Sequence, residues 1–376
     1  MKGLIVLNRI LIFGMTENPG GVENVIMNYY RKLNRKKYQF DFLCNTTKVA
    51  YSDEINSLGG KIYKIVARSN NRKEYKKQIN EFFKNHSKEY NTIWVNVCSL
   101  ANIDYLKYAK KYGIKYRIIH SHNSQNMDSK LRGILHKINK IFIKKYATDF
   151  WACSDDAGEW FYDKSIINSN RYLVVNNAID IDKFKYNEDI RNKYRKELNI
   201  ENKIVIGNVG RLHFQKNQSF AIDIYNKLQK NNNNVIMLII GQGEDYDKLK
   251  SKVDSLNLQD KVIFLGVRND IPELMQAMDI FLFPSVFEGL GLVLIESQAS
   301  GLLTYASSNV IPDLVKMDDE RFKFISLNDK PSEWAKIIIK DFPKIRDRKS
   351  NDECIKKAGY DINTEIKKIE KYFNRK

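Results

Sequence analysis

The stretch IFLFPSVFEGLGLVLIESQASG, residues 280–301, decides how the chain is read. An apolar run closed by Pro284 suits a buried strand that ends where the ladder can no longer be extended. A loop with Gly289 and Gly291 follows, and residues 291–300 continue as an apolar helix. Strand, glycine loop and helix together form half of a parallel βαβ unit. Glu288 and Glu296 bracket the loop. Eight positions at 100° each would leave them about 80° apart on a helix, so they do not share one stripe. The expectation is Glu288 in the loop and Glu296 in the second helical turn, with the backbone of Gly289, Leu290, Gly291 and Leu292 at the helix mouth. Such a mouth attracts phosphate, and carboxylates accept hydrogen bonds from sugar hydroxyls. An unpaired buried carboxylate is costly, so Glu296 in an otherwise apolar helix is expected to face a ligand. A nucleoside diphosphate sugar offers both kinds of group. The competing reading is two incidental glutamates, one of them favoured by the helix dipole.

The same alternation extends in both directions. Apolar runs at 10–14, 40–44, 92–97, 116–120 and 149–153 precede or follow segments of helical spacing at 22–33, 72–90 and 101–112. After about residue 185 it resumes, with runs at 204–210, 235–241, 261–266 and 280–284 and helices near 218–230, 244–256, 271–278 and 291–300. Strand–helix alternation predicts parallel sheets covered on both faces, and two blocks predict two doubly wound, Rossmann-like α/β domains. Ligands then bind beyond the carboxyl ends of the strands. The expected domains are 1–185 and 186–355, joined through a charged link at 180–200. A charged helix at about 356–376 is expected to pack back on the first domain.

At 376 residues the chain exceeds one ordinary core, and 43% hydrophobic content excludes a disordered or fibrous class. The formal net charge of +18 favours an anionic partner, against the plainer reading of a lysine-rich composition. Cys44, Cys98, Cys153 and Cys354 are scattered and form no C-x-x-C, and their mostly apolar flanks predict buried thiols in a reducing compartment. Asn8 and Arg9 interrupt the N-terminal apolar run, which reads as a first strand rather than a signal peptide. No run approaches the ~18 apolar residues of a membrane span.

Four further motifs bear on chemistry. Gly20 and Gly21, in NPGGVENVIMNYY, open a helix after the first strand and let backbone approach a ligand; an ordinary turn competes. Arg211 and Lys216, in GNVGRLHFQKNQS, lie in one loop at a strand's carboxyl end and suit a diphosphate; a solvated basic loop competes. His120 and His122 end a strand on one face and could donate to a sugar oxygen; structural polarity competes. Asp180 and Asp182 form D-x-D but lie in the link, so no metal is expected there. In addition, Leu131, Ile134, Leu135, Ile138, Ile141 and Phe142 fall at helical spacing opposite lysines within 128–147. This pattern fits an anionic membrane surface or a packed surface helix.

In order and spacing, NPGGVENVIMNYY, HSHN, ACSDDA, NNAIDIDKF, GRLHFQKNQ, GQGE, FLGVRNDIPELMQAMDIFLFPS and EGLGLVLIESQASG resemble the retaining glycosyltransferases of family four. That family has the GT-B fold, with a cleft between two Rossmann-like domains. The likeness spans nearly the whole chain and is greatest to bacterial capsular and exopolysaccharide transferases. It implies a hexosyl or N-acetylhexosaminyl transfer from a UDP-sugar to an oligosaccharide on a polyprenyl lipid, without metal or other cofactor, at the cytoplasmic side of the membrane. By position, Arg211 and Lys216 match the diphosphate-binding cations, Glu296 the ribose-binding acid and Glu288 the acid facing the transferred sugar. Gly289 to Leu292 match the backbone beside sugar and phosphate, and Gly21 the glycine that closes on the phosphates. Gly241 belongs to the donor-binding set, and Val267 and Arg268 match the loop beside the nucleobase. His122, ahead of His120, matches the residue near the sugar's primary hydroxyl. Asp180 falls in a landmark motif that accounts for D-x-D without a metal. Two departures, Ala178 for a common glycine and Leu303 for a common proline, touch loop shape rather than charge. A nucleotide-sugar epimerase of the same fold is the alternative enzyme. A basic nucleic-acid-binding protein is the alternative from another class, but no nucleic-acid motif is present and no such partner is expected.

Overall fold

The computed structural model describes residues 7–124 and 129–374. Its contacts divide the chain into two units, residues 1–178 with 362–376, and residues 179–361.

The second unit is organised by strands rich in β-branched residues, which suit a sheet buried on both faces. They are β8 (Ile204–Val209), β9 (Val235–Ile240), β10 (Val262–Gly266), β11 (Ile280–Phe283), β12 (Leu303–Ser307) and β13 (Phe322–Ile325), counted within a chain-wide numbering whose first seven strands belong to the other unit. Their order is β10-β9-β8-β11-β12-β13, with every pairing parallel. Each residue of β9 and β11 is buried. Burial of each such Ile, Leu or Phe side chain contributes about 1.5–3 kcal/mol. The order reverses between β8 and β11, and sheets of this kind bind ligands beyond the carboxyl ends of the strands at such a switch point.

The first unit repeats the plan with seven parallel strands: β1 (Asn8–Phe13), β2 (Tyr38–Cys44), β3 (Ile62–Lys64), β4 (Thr92–Val97), β5 (Tyr116–Ser121), β6 (Asp149–Ala152) and β7 (Tyr172–Val174). Their order is β3-β2-β1-β4-β5-β6-β7, so the switch point lies between β1 and β4. Buried Asp41 on β2 is held by Arg9 at 2.6 and 2.5 Å, by the Lys61 N–H at 2.8 Å and by the Tyr90 hydroxyl at 2.9 Å. A buried carboxylate is tolerated when its lone pairs are satisfied in this way.

Two expectations change. The charged segment 180–200 is no free link, since Glu188–Glu197 is a helix capped by the Asn187 side chain. Its Arg191 and Arg195 converge on Asp279 at 2.5 and 3.2 Å, so the charges that suggested solvent instead tie the helix to the start of β11. The C-terminal segment is two helices, Asp352–Lys357 and Ile362–Phe373, broken at Gly359 with φ +82°. The last helix packs on the first unit, where Phe373 lies 6.0 Å from the rings of Tyr38 and of Phe40. Strands β3, β7, β12 and β13 and the helix Pro331–Lys340 have no counterpart in the sequence reading.

Candidate active site

In the second unit the loops after β8 and β11 are laced together at the switch point. The Val286 N–H donates to the Gln215 carbonyl at 2.8 Å, and the Gln215 side chain donates to the Phe287 carbonyl at 2.9 Å. Between them Lys216 Nζ meets Glu288 Oε1 at 2.6 Å, with Glu288 only 7% exposed. The same ammonium sits 4.9 Å from the centre of the Phe283 ring. Lys216 closes a short 3₁₀ turn that ends at Asn217, whose left-handed φ of 54° suits an asparagine.

Glu288 is followed by Gly289, Leu290 and Gly291, and the helix Leu292–Ala299 begins with Gly291 as its N-cap at φ +75°. A side chain is disfavoured at that angle. The N-cap lies against the Glu288 side chain, since a Cβ on Gly291 would stand 3.8 Å from Glu288 Cγ. Leu290 is 5% exposed and belongs to the apolar core, so it contributes backbone only. One and a half turns on, Glu296 is half-buried, and its carboxylate has no hydrogen-bonding or ionic partner among the described residues. Burial raises its carboxyl from an ordinary 4.5 to about 7.

On the other flank of β8, backbone meets backbone. Gly241 takes φ +134°, and a Cβ there would come within 2.0 Å of the Gly210 carbonyl oxygen. A Cβ on Gly243 would stand 2.2 Å from the Leu212 carbonyl oxygen. The glycines let this turn lie directly against the Arg211 loop. Beyond it opens a cavity of about 440 Å³ lined by Gly241, Gln242, Gly243, Tyr246, Asp247 and Gly266. Val267, next along, is 60% exposed, and Arg268 is engaged with Asp270. Arg211 is exposed and ion-paired with Glu244 at 2.8 Å, while His213 approaches the other oxygen of Glu244 at 3.1 Å.

In the first unit, Gly20 caps the helix Gly21–Lys32. Nothing stands within 4 Å of a Cβ built on Gly21, so that helix start is open. Glu23 in its first turn is buried, and burial lifts its carboxyl above the ordinary range although the Thr16 hydroxyl donates to it at 2.5 Å. His120 and His122 stand ring to ring with centres 4.1 Å apart. His120 is wholly buried and stacks on Trp94. His122 is half-buried and its Nε2 faces Asn96 Oδ1 at 2.9 Å. Burial depresses both imidazoles, that of His122 to about 3, so both are neutral at physiological pH.

Comparison with known proteins decides the family. Residues 190–358 match the family model described as glycosyl transferases group 1. The chain is 29% identical over 373 residues to the putative glycosyltransferase EpsF of Bacillus subtilis, covering 95% of this chain and 94% of that one. Residues 190–358 are thus a group 1 glycosyl transferase segment, and the chain over nearly its whole length is homologous to EpsF. Another relative is the Escherichia coli UDP-Gal:alpha-D-GlcNAc-diphosphoundecaprenol alpha-1,3-galactosyltransferase, 29% identical over 216 residues and 56% of each chain. The fold agrees with the solved structure of Anabaena HepE in complex with UDP and glucose, at a TM-score of 0.78 and 19% identity, covering 97% of this chain and 99% of that one. This chain is therefore a GT-B glycosyltransferase.

For this glycosyltransferase, the residues singled out in sequence fall into three sets. Lys216, Glu288, Gly289, Leu290, Gly291, Leu292 and Glu296 meet around one helix mouth. Arg211, Gly241, Val267 and Arg268 lie along the neighbouring carboxyl ends of β8, β9 and β10. Gly20, Gly21, His120 and His122 belong to the first unit. Tyr246, Asp247 and Glu244 were not singled out. The motif GQGE pointed at their neighbourhood, but nothing in its spacing says which side chains line a cavity.

Proposed function

We propose that this glycosyltransferase moves a hexose or N-acetylhexosamine from a UDP-sugar, with retention, to an oligosaccharide carried on a polyprenyl lipid during capsule or exopolysaccharide synthesis. The Lys216–Glu288 pair beside the start of the Leu292–Ala299 helix carries the reading. A diphosphate needs a cation and N–H donors, and Lys216 and a helix N-terminus are the groups that supply them. Glu296, half-buried and unpartnered, suits a pair of ribose hydroxyls. The cavity beside Gly241 and Gly266 suits a planar base.

In this reading Lys216, turning from Glu288 to the diphosphate as the donor binds, and the helix N–H groups stabilise the negative charge that grows on the departing diphosphate. Glu288 then exchanges Lys216 for the hydroxyls of the transferred sugar. His122 is neutral and gives its one ring proton to Asn96 Oδ1, so its Nδ1 can accept a hydrogen bond from a sugar hydroxyl. No divalent metal takes part. The similar Escherichia coli enzyme, whose name specifies UDP-Gal and a diphosphoundecaprenol acceptor, supports both the uridine donor and the lipid carrier. A polyprenyl carrier puts the reaction at a membrane surface.

A panel of nucleotide sugars, scored for nucleotide release with and without a lipid-linked acceptor extract, tests the reading. Acceptor-dependent release of UDP is expected. Release that ignores the acceptor would point to an epimerase instead. Lys216→Ala should weaken UDP binding about tenfold or more, the worth of a charge-assisted hydrogen bond. Glu288→Gln should abolish transfer yet bind UDP at least as tightly as wild type, because Lys216 is then no longer neutralised. Wild-type transfer in either variant removes the assigned role.

A further inference from the structure

Among the described residues outside the helix Lys130–Tyr146, the exposed large hydrophobic side chains are Leu7, Phe214, Tyr246, Val267, Val286 and Leu314. All but Leu7 belong to the second unit, and each follows the carboxyl end of a different strand, β8, β9, β10, β11 and β12 in turn. Scattered exposed hydrophobics are ordinary, but apolar groups gathered along one edge mark an interaction surface. Tyr246 lines the cavity proposed for the base, and Val267 follows Gly266, which lines it too. Phe214 and Val286 lie on the other loops, and the donor reading makes no use of either.

Their placement repeats on the two loops of the Lys216–Glu288 pair. Phe214 precedes Lys216 by two residues, as Val286 precedes Glu288. Lys216 and Glu288 turn inward, with side chains 21 and 7% exposed, while Phe214 and Val286 turn outward at 66 and 43%. The Val286 N–H donates to the Gln215 carbonyl at 2.8 Å and the Gln215 side chain to the Phe287 carbonyl at 2.9 Å, so the laced loops fix this display. The result is an apolar step at the outer lip of the ion pair. His213, whose Nε2 approaches Glu244 at 3.1 Å, stands 4.4 Å from the Phe214 ring. Polar groups thus border the step, which suits a single sugar ring rather than the long apolar track that a prenyl chain needs. We propose that the step is a binding site for the acceptor, whose terminal pyranose lays an apolar face on the Phe214 ring and against Val286. The C–H groups of a pyranose face carry partial positive charge and meet the negative face of an aromatic ring. Such a contact leaves the hydroxyl edge free to face the sugar at Glu288. The site rests on the reading of Glu288 as the neighbour of the transferred sugar, and goes beyond it by placing part of the acceptor on the second unit.

Transfer from the UDP-sugar that the panel identifies is titrated with the lipid-linked extract. The soluble oligosaccharide that mild acid frees from the extract serves as competitor. Phe214→Ala should raise the half-saturating amount of extract about tenfold and weaken the competitor by the same factor. UDP affinity and melting temperature should match wild type, since Phe214 touches neither the diphosphate groups nor the core. Phe214→Trp should restore both values. Phe214→Leu, which keeps apolar area and loses the aromatic face, should not. The proposal is overturned if Phe214→Ala saturates as wild type does, if UDP affinity falls by the same factor, or if the freed oligosaccharide does not compete. Full recovery in Phe214→Leu would identify a prenyl contact and overturn it as well. Wild-type UDP release that ignores the extract would instead overturn the transferase reading on which the site rests.

Discussion

At the scale of single residues, Glu296 offers the sharpest test. Its carboxyl is lifted to about 7 by burial, above the ordinary 4.5, so folding favours the protonated form. That contribution to stability is fully present below pH 4.5 and is lost as the pH rises through about 7. Glu296→Gln removes the penalty. It should therefore stabilise the protein at pH 8 by on the order of 2 kcal/mol, after discounting for the half-exposed side chain, and by almost nothing at pH 4.5. Urea midpoints at the two pH values measure the difference, and an equal shift at both would refute it. Function should move the opposite way. An ionised carboxylate accepts stronger hydrogen bonds from hydroxyls, so donor KM should rise as pH falls from 8 to 6 in wild type and stay flat, at a higher value, in Glu296→Gln. Gly241 makes a second residue-scale prediction. Gly241→Ala would set a methyl 2.0 Å from the Gly210 carbonyl at φ +134°. The β8 and β9 loops must then part, and a loss of about 3 kcal/mol or more is expected by denaturant titration, with UDP binding impaired alongside.

At the scale of elements, the sequence was legible where periodicity and glycine placement agree. The run 280–283, the glycine loop and the following helix appear as read, with Glu296 in the second turn, because local chemistry dictates each boundary. What could not be read was pairing across long separations. Lys216 and Glu288 are 72 residues apart, and nothing in either loop says that one will neutralise the other. The helix Glu188–Glu197 was hidden for a related reason. Charge-rich composition suggests solvent, yet Arg191 and Arg195 share Asp279, which is 3% exposed and also accepts the Val205 N–H at 2.8 Å. Asp279→Ala would strand two guanidinium groups at a largely buried site, a loss of about 3–5 kcal/mol. Proteolysis should then open the 186–203 segment first, and an unchanged cleavage pattern would show that the helix is held otherwise. For the helix Lys130–Tyr146, spacing identified the apolar positions. It could not show that five of them face outward, because a core face and a docking face have the same period.

At the scale of the whole molecule, each unit has its own sheet and apolar core, and the chain passes between the units only at 178–179 and 361–362. The residues proposed to hold the nucleotide, Lys216, Glu288, Glu296 and those around the Gly241 cavity, all belong to the second unit. Nucleotide binding should therefore stabilise that unit selectively. A ligand present at 100 times its Kd adds about 2.7 kcal/mol to the unit that binds it and nothing to a unit that does not. Hydrogen exchange with saturating UDP should show slowing in 210–217, 241–247 and 288–296 and through β8 to β11, with smaller change in β1 to β6. Lys216→Ala should erase the slowing at equal UDP concentration. A UDP-sugar in place of UDP adds the hexose that Glu288 is proposed to face. Any further protection at Gly20, Gly21 and His122 that appears with the sugar nucleotide and not with UDP would tie the first unit to the sugar rather than to the nucleotide. Equal protection of both units by UDP alone would overturn the division of labour between them.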